Sequence, residues 1–377
     1  MAHLAISRTV GKCISREHFY EYMKMILVAF IILLALMTSA QCQQTAEDWF
    51  NKGNVLYAHG TLDGAIKAYG EAIKLNSSEP SYWNIKGVAL DAQGRYDEAI
   101  KAYDEAIRLK SDYADAWANR GNALDAQGKY DEAIKAYDEA LRLNPNLGLA
   151  WYNKGVTLHG HGLYDEAIEA FDRAIEIDPR NANACISKGV SLKSQGKYNE
   201  AINAYDVALE INPRNAMAWN NKGNALRCLG KYNDAVKAFN QAIEIDPTNA
   251  GARKNKDITI TEAVEAFDNA TQKNPRNATA WYNKGTALEM LGKYDEAVEA
   301  FDMAIEINPK YATAWYNKGV ALFAQGRNND AIESFNTAIE IDPTYAKAWA
   351  IKGIAQRSLG HIAEGDATFA KAMELMS

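Results

Sequence analysis

The sequence predicts an all-α solenoid, a row of stacked helix pairs, and three observations carry that prediction. The first is spacing. Trp49, Trp83, Trp117 and Trp151 lie 34 residues apart, as do Trp281, Trp315 and Trp349; Cys185 and Trp219 fill the two slots after Trp151. The second is a phrase, Trp-Tyr-Asn-Lys-Gly, at 151–155, 281–285 and 315–319. The third is apolar periodicity within each unit. A module of this length cannot bury its apolar face alone, so copies must stack.

With tryptophan placed at position 4, repeats begin at Ala46, Pro80, Ala114, Gly148, Ala182, Ala216, Ala250, Ala278, Ala312 and Ala346. Positions 4, 8 and 11 (tryptophan, glycine, leucine) recur at i, i+4, i+7 and form one stripe of a first helix. Glycine at 8 permits close approach of a neighbouring helix. Glycine at 15, for example Gly94, Gly128, Gly230 and Gly292, ends that helix. Asp97, Asp131, Asp165 and Asp295 at position 18 are expected to cap a second helix. Its stripe is alanine at 20, Tyr or Phe at 24 and alanine at 27. Proline at 32 stops it.

This pattern resembles the tetratricopeptide repeat (TPR) family, with its Trp-x-x-Leu-Gly-x-x-Tyr…Ala-x-x-x-Phe…Ala…Pro consensus. The resemblance covers 46–377 and implies a right-handed superhelix of helix-turn-helix units with a concave, protein-binding groove. Two departures stand out. Position 7 is basic where the family has leucine, from Lys52 and Lys86 to Lys318 and Lys352. A lysine stem there should cover apolar surface while its ammonium pairs with an acid on an adjacent helix. Repeat seven is short by six residues, with Arg253 in the tryptophan slot. Thr259-Ile-Thr-Glu262 reads as a capping box that opens a second helix at Ala263–Lys273. The array thus divides into 46–249, a degenerate repeat at 250–277, and 278–377, and repeat seven should be its weakest point.

The N-terminus reads as a targeting segment. Met25–Met37 is an uninterrupted apolar run preceded by Lys24 and followed by Thr38-Ser39-Ala40. It is short for a membrane span, which needs about 20 residues, and fits a signal h-region. Residues 1–22 read as an n-region or an over-called start, and 23–40 as the signal peptide. Left uncut, residues 24–40 would anchor the chain to a membrane. The expected location is outside the cytoplasmic membrane.

Composition narrows the function. Hydrophobic residues make up 48% and charged residues 24% of the 377 residues, so the bulk is globular. A net charge of −7 gives no support to a nucleic-acid partner. Cys185 and Cys228 are expected free and buried, because their repeat positions put them ~13 Å apart along neighbouring helices. No phosphate loop, Cys-x-x-Cys, His-Glu-x-x-His or nucleophile elbow occurs, so neither an enzyme nor a cofactor is expected. The pair His159 and His161 falls near an inter-helix turn with no third ligand, and no metal is expected there. Asn76, Asn269 and Asn277 begin glycosylation sequons.

What remains is a polar row on the first helices. Position 6 supplies Asn51, Asn119, Asn153, Asn221, Asn255, Asn283 and Asn317. Position 9 supplies Asn54, Asn122 and Asn224, and position 5 supplies Tyr152, Tyr282 and Tyr316. By the TPR resemblance these face the groove. An amide both donates and accepts, so a ladder of them suits an extended peptide backbone. The row is similar to the asparagine ladder of O-linked N-acetylglucosamine transferases; a merely structural role for these amides is the competing reading. The carboxylate clamp of chaperone-binding TPRs wants Lys at position 5, and only Lys254, in the broken repeat, provides it. The expected function is a non-enzymatic scaffold for protein segments. The alternatives are a recruiting subunit of a separate glycosyltransferase-like enzyme, or a membrane-anchored, self-associating spacer. The C-terminal repeat, whose Phe369, Met373 and Met376 lack a following helix, is the expected site of self-association.

Overall fold

The computed structural model describes residues 20–31 and 44–376. Residues 20–31 are helical (α1) and their large apolar side chains are exposed. Thr38-Ser39-Ala40, Cys13 and Cys42 lie outside the described residues. No helix of the described residues is long and apolar enough to cross a membrane.

From Ala46 onward the chain is a succession of helices without a strand among the described residues. The pairs are α2 (Ala46–Ala58) with α3 (Leu62–Leu75), α4 (Pro80–Ala92) with α5 (Tyr96–Leu109), and α6 (Ala114–Ala126) with α7 (Tyr130–Leu143). After α8 (Gly148–Gly160) and α9 (Tyr164–Ile177) come α10 (Ala182–Ser194) with α11 (Tyr198–Ile211), and α12 (Ala216–Cys228) with α13 (Tyr232–Ile245). A single long α14 (Ala250–Lys273) precedes α15 (Ala278–Met290) with α16 (Tyr294–Ile307). The chain closes with α17 (Ala312–Ala324), α18 (Asn328–Ile341), α19 (Ala346–Ser358) and α20 (Ile362–Met376). The chain divides into two compact units between Asn153 and Lys154, inside α8.

In both units the pairing follows from the small and aromatic positions. The Tyr137 ring in unit one is buried against α6, and a Cβ on Gly121 would come within 2.6 Å of it. Phe301 in unit two stands 2.7 Å from a Cβ placed on Gly285. Only glycine admits the ring at that depth. The alanines at positions 20 and 27 are buried beside it, Ala133 and Ala140 in unit one, Ala297 and Ala304 in unit two. The turn between paired helices needs a left-handed residue, and Gly128 (φ 73°) and Gly292 (φ 73°) supply it.

Four expectations are corrected. The position-18 aspartates are not caps: Asp97 and Asp295 lie in the first turn of helices whose N-cap residues, Arg95 and Lys293, form no side-chain cap bond. Their carboxylates instead accept from position 14 of the next repeat, Gln127 to Asp97 at 2.9 Å and Gln325 to Asp295 at 2.7 Å, tying repeats together. The capping box in repeat seven is also absent. Thr259 is buried in the middle of α14, and its hydroxyl donates back to the Asn255 carbonyl at 2.6 Å. With the turn and its glycine deleted, nothing interrupts the helical backbone. Cys228 is free as expected but exposed rather than buried, because position 13 lies off the 4–8–11 stripe. His159 belongs to the last turn of α8 rather than to the loop.

Candidate functional site

Positions 5, 6, 9 and 12 of the first helices share one helical face (i, i+1, i+4, i+7). In unit one, Asn119 Nδ2 donates to Asn84 Oδ1 at 3.1 Å, one repeat back. Asn153 Nδ2 donates to Asn122 Oδ1 at 2.8 Å, and that oxygen also accepts from the Tyr137 hydroxyl at 2.8 Å. Asn54 Oδ1 accepts from the Tyr69 hydroxyl at 3.0 Å. In unit two, Asn255 donates to Asn220 Oδ1 at 3.0 Å and Asn317 to the Tyr282 hydroxyl at 3.1 Å. Asn224 Nδ2 turns back to the Asn220 carbonyl at 3.1 Å. Asn119, Asn255 and Asn317 thus act as staples from position 6 to a polar group at position 5 of the preceding repeat.

Three position-6 amides have no partner in a preceding repeat among the described residues. Asn51 has no repeat before it. Asn221 follows Ile186 and Asn283 follows Lys254 at position 5 of the repeat before. Asn221 and Asn283 are half-buried, with neither amide hydrogen-bonded among the described residues, while Asn51 is exposed. Tyr152 is half-buried on the same face.

The structure adds residues that the sequence reading missed. Tyr311 and Tyr345, at position 34, pack at a tilt against the position-5 tyrosines, with ring centroids 5.0 Å from Tyr282 and 4.9 Å from Tyr316. Burial pushes the Tyr345 hydroxyl up to about 12. Their signal was available: position 34 is also Tyr in repeat two, where Tyr113 meets Asn84. Position 12 continues the face with ionisable groups. Burial raises the Asp91 carboxyl, and raises Glu289 to about 7. His159 is lowered by burial and then by Lys193, and its Nδ1 lies 2.9 Å from the Ser191 hydroxyl. Arg227 pairs with Glu262 of α14 at 2.8 Å. No cluster of three or more metal-binding side chains occurs among the described residues.

The basic position 7 lies on a different face and joins repeats. It pairs with aspartate at position 25 one repeat back: Arg120–Asp104 at 2.7 Å in unit one, and Lys188–Asp172 and Lys318–Asp302 at 2.6 Å in unit two. Where position 25 is Gly70 or Asn336, the following Lys86 and Lys352 have no such acid, and burial lowers both. Where their own repeat has a tryptophan these cations can also stand over its ring, as Lys222 does over Trp219 at 5.2 Å. The sequons are placed differently from one another. Asn76 ends α3, Asn277 caps α15 by accepting from the Ala280 amide at 3.1 Å, and Asn269 lies within α14, where Thr271 is buried.

Family models agree with this architecture along most of the chain. One tetratricopeptide-repeat model matches 50–114 and 118–182, a second matches 216–249, 278–311 and 312–345, and a TPR-repeat model matches 189–227. The chain is a tetratricopeptide-repeat protein. Solved TPR structures are similar to parts of it. YrrB, described as a TPR protein with an unusual peptide-binding site, is 25% identical over 51% of this chain and 99% of its own, with a TM-score of 0.46. MamA is 27% identical over 45% of this chain and 93% of its own, with a TM-score of 0.42. A tetratricopeptide repeat protein from Parabacteroides merdae ATCC 43184 is 16% identical over 74% of this chain and 100% of its own, with a TM-score of 0.48. Comparison with curated proteins gives no significant match.

Proposed function

We propose that this TPR protein is an exported, non-catalytic scaffold that holds an extended segment of another protein along the 5–6–9 face of its first helices. The observation that carries the reading is the pair Asn221 and Asn283. Each is a half-buried amide with no hydrogen-bond partner among the described residues. A peptide backbone satisfies the donor and the acceptor of such an amide together. Export rests on the apolar run Met25–Met37 followed by Thr38-Ser39-Ala40; N-terminal sequencing of the native protein tests it, and an intact N-terminus in the cytosol refutes it. Self-association through α20, whose Phe369, Met373 and Met376 are exposed, is a further part of the reading. A strict monomer in concentrated sedimentation runs removes that part.

The stapled and unstapled amides separate the binding role from the structural one. A peptide is selected on the full chain from a random library, then titrated against two double variants. Asn221→Ala with Asn283→Ala should weaken binding roughly tenfold, from two bonds of ~0.5–1.5 kcal/mol each, and leave the melting temperature unchanged. Asn119→Ala with Asn317→Ala removes two staples and should lower the melting temperature. Unchanged peptide affinity in the first variant would sink the assignment of this face.

A further inference from the structure

The single cysteine in a tryptophan slot opens a site on another face of the array. In the sister repeats the position-4 indole fills one niche. It packs on the residue at position 28 of the repeat before, as Trp83 does on Ile73, Trp315 on Ile305 and Trp349 on Ile339. Its N–H donates to the backbone carbonyl at position 32, Trp219 to Pro213 and Trp315 to Pro309 at 3.0 Å. The position-7 cation stands over its ring, at 5.3 Å in the case of Lys318 and Trp315.

Repeat five keeps the position-7 cation and the position-28 side chain of that niche and lacks the ring. Lys188 is held in place by Asp172 at 2.6 Å. Ile175 occupies position 28, and no hydrogen bond reaches the Pro179 carbonyl within the described residues. An open cleft of about 340 Å³ lies there, with Cys185, Ile175, Leu192, Ala204 and Val207 among its lining and Pro179 outside it. Pockets that take small ligands begin at ~300 Å³ and are mostly apolar with a few placed polar groups. The equivalent cleft in repeat two is larger, about 570 Å³, with Trp83 in its wall; its lining does not include Ile73 at position 28 of the repeat before, and it carries Lys101 and Glu105 where repeat five has Asn203 and Val207. Val207 is 44% exposed at the mouth, an apolar side chain where repeats one to three carry Glu71, Glu105 and Glu139. Burial raises the Cys185 thiol, which keeps it a neutral, apolar wall.

We propose that this cleft binds a planar aromatic ring of indole size, from outside the chain. The ring would lie on Ile175 beneath the Lys188 ammonium, where the cation attracts its π face. The ring comes either from a free small molecule or from a tryptophan side chain of a bound segment. The site is separate from the 5–6–9 face, and it stands or falls independently of the proposed function.

The test titrates free indole, and separately a capped Gly-Trp-Gly peptide, into the full chain by ligand-observed NMR. The wild type should bind indole at one site. Cys185→Trp, which rebuilds the sister niche, should reduce that affinity at least tenfold. Val207→Glu, which installs the side chain that repeats one to three carry, tests the cleft without loading the core and should weaken binding several-fold. The peptide binding more tightly than indole identifies a side chain as the source; indole binding more tightly identifies a small molecule. Equal indole affinity in the wild type and in either folded variant, or no binding by the wild type at millimolar ligand, overturns the proposal.

Discussion

Repeats five and seven both lose the tryptophan at position 4, and the fold answers the two losses differently. In repeat seven Arg253 takes the slot, and its guanidinium donates to the Pro247 carbonyl that an indole would have reached. The turn is gone as well, and the repeat is one unbroken helix of 24 residues. In repeat five both helices and the turn glycine, Gly196 (φ 76°), are intact, and the cleft beside Cys185 reaches Ile175 of the repeat before. The hydrogen bond of the missing side chain is thus replaceable by another donor, whereas its volume is not replaced by a thiol. Between-repeat ion pairing divides the same way. Lys188 keeps its aspartate, while Lys256 of repeat seven follows Asn240 at position 25.

The largest expected effect comes from making a sound repeat resemble repeat five. Trp219 packs against buried Leu209 and bonds Pro213. Trp219→Cys should cost ~3–5 kcal/mol, the range for emptying an aromatic site. Urea denaturation followed by circular dichroism measures it. A loss below ~1 kcal/mol would show that the array closes over such a gap, and that the cleft at Cys185 is not the consequence of a missing ring.

A proline tests the continuity of α14. Asp257 is exposed in mid-helix, two residues before Thr259, whose hydroxyl caps nothing. Asp257→Pro should cost ~3 kcal/mol or more, because it removes a helical hydrogen bond and clashes with the preceding turn. Were the chain to turn there, as a capping box at Thr259–Glu262 implies, the same proline would sit in a loop and cost little. Hydrogen exchange across 251–259 offers the same contrast without mutation: slow exchange fits one helix, fast exchange a latent break.

These two repeats also mark how far the sequence is legible. Helix starts are legible because the tryptophan, the glycine four residues after it and the alanines obey steric demands that only small or flat groups meet, as at Gly121 and Tyr137. The fusion of repeat seven was not, since Ser/Thr-x-x-Glu spacing is identical whether threonine precedes a helix or lies within it. Only the absent glycine at the turn distinguishes the two. In the candidate site, the positions of the amides were legible from spacing. Which amides are already spent was not, because that depends on pairs 35 residues apart, Asn119 with Asn84 and Asn255 with Asn220. Once the rule is known it reads directly: Ile186 and Lys254 at position 5 leave Asn221 and Asn283 unpaired. The position-18 aspartates misled for a related reason. Their partners, such as Gln127 for Asp97, come from the next repeat, and local capping rules do not see them.

A smaller effect should appear at position 12 on either side of repeat seven. Before it, Arg227 finds Glu262 of α14 at 2.8 Å. After it, Glu289 is held by burial alone, which raises its carboxyl to about 7 from an ordinary 4.5. For an acid whose folded value is raised, the neutral form suits the folded state. Its contribution is complete below about 4.5 and is lost as pH rises through about 7. The melting temperature should therefore fall between about pH 5 and pH 8 by a margin that Glu289→Gln removes, with the variant the more stable at the upper end. Parallel slopes for the two proteins would mean that the carboxylate is solvated and that the flanks of repeat seven do not differ.

The smallest effect belongs to Arg253, and it decides whether repeat seven has compensated for its tryptophan at all. The guanidinium is exposed and bonds a backbone carbonyl at the mouth of the helix, so water competes for both groups. Arg253→Ala should cost ~0.5–1.5 kcal/mol, the net value of one hydrogen bond, and Arg253→Gln, which keeps an N–H donor but is shorter, should recover part of it. Because the arginine stem also covers apolar surface, the alanine variant alone would confound packing with bonding. Arg253→Met supplies the control, with a stem and no donor. If Arg253→Met is as stable as the wild type, the bond to Pro247 contributes nothing. Repeat seven would then hold its place through the continuity of α14 and the packing of Ile260 and Ala263, both buried in that helix.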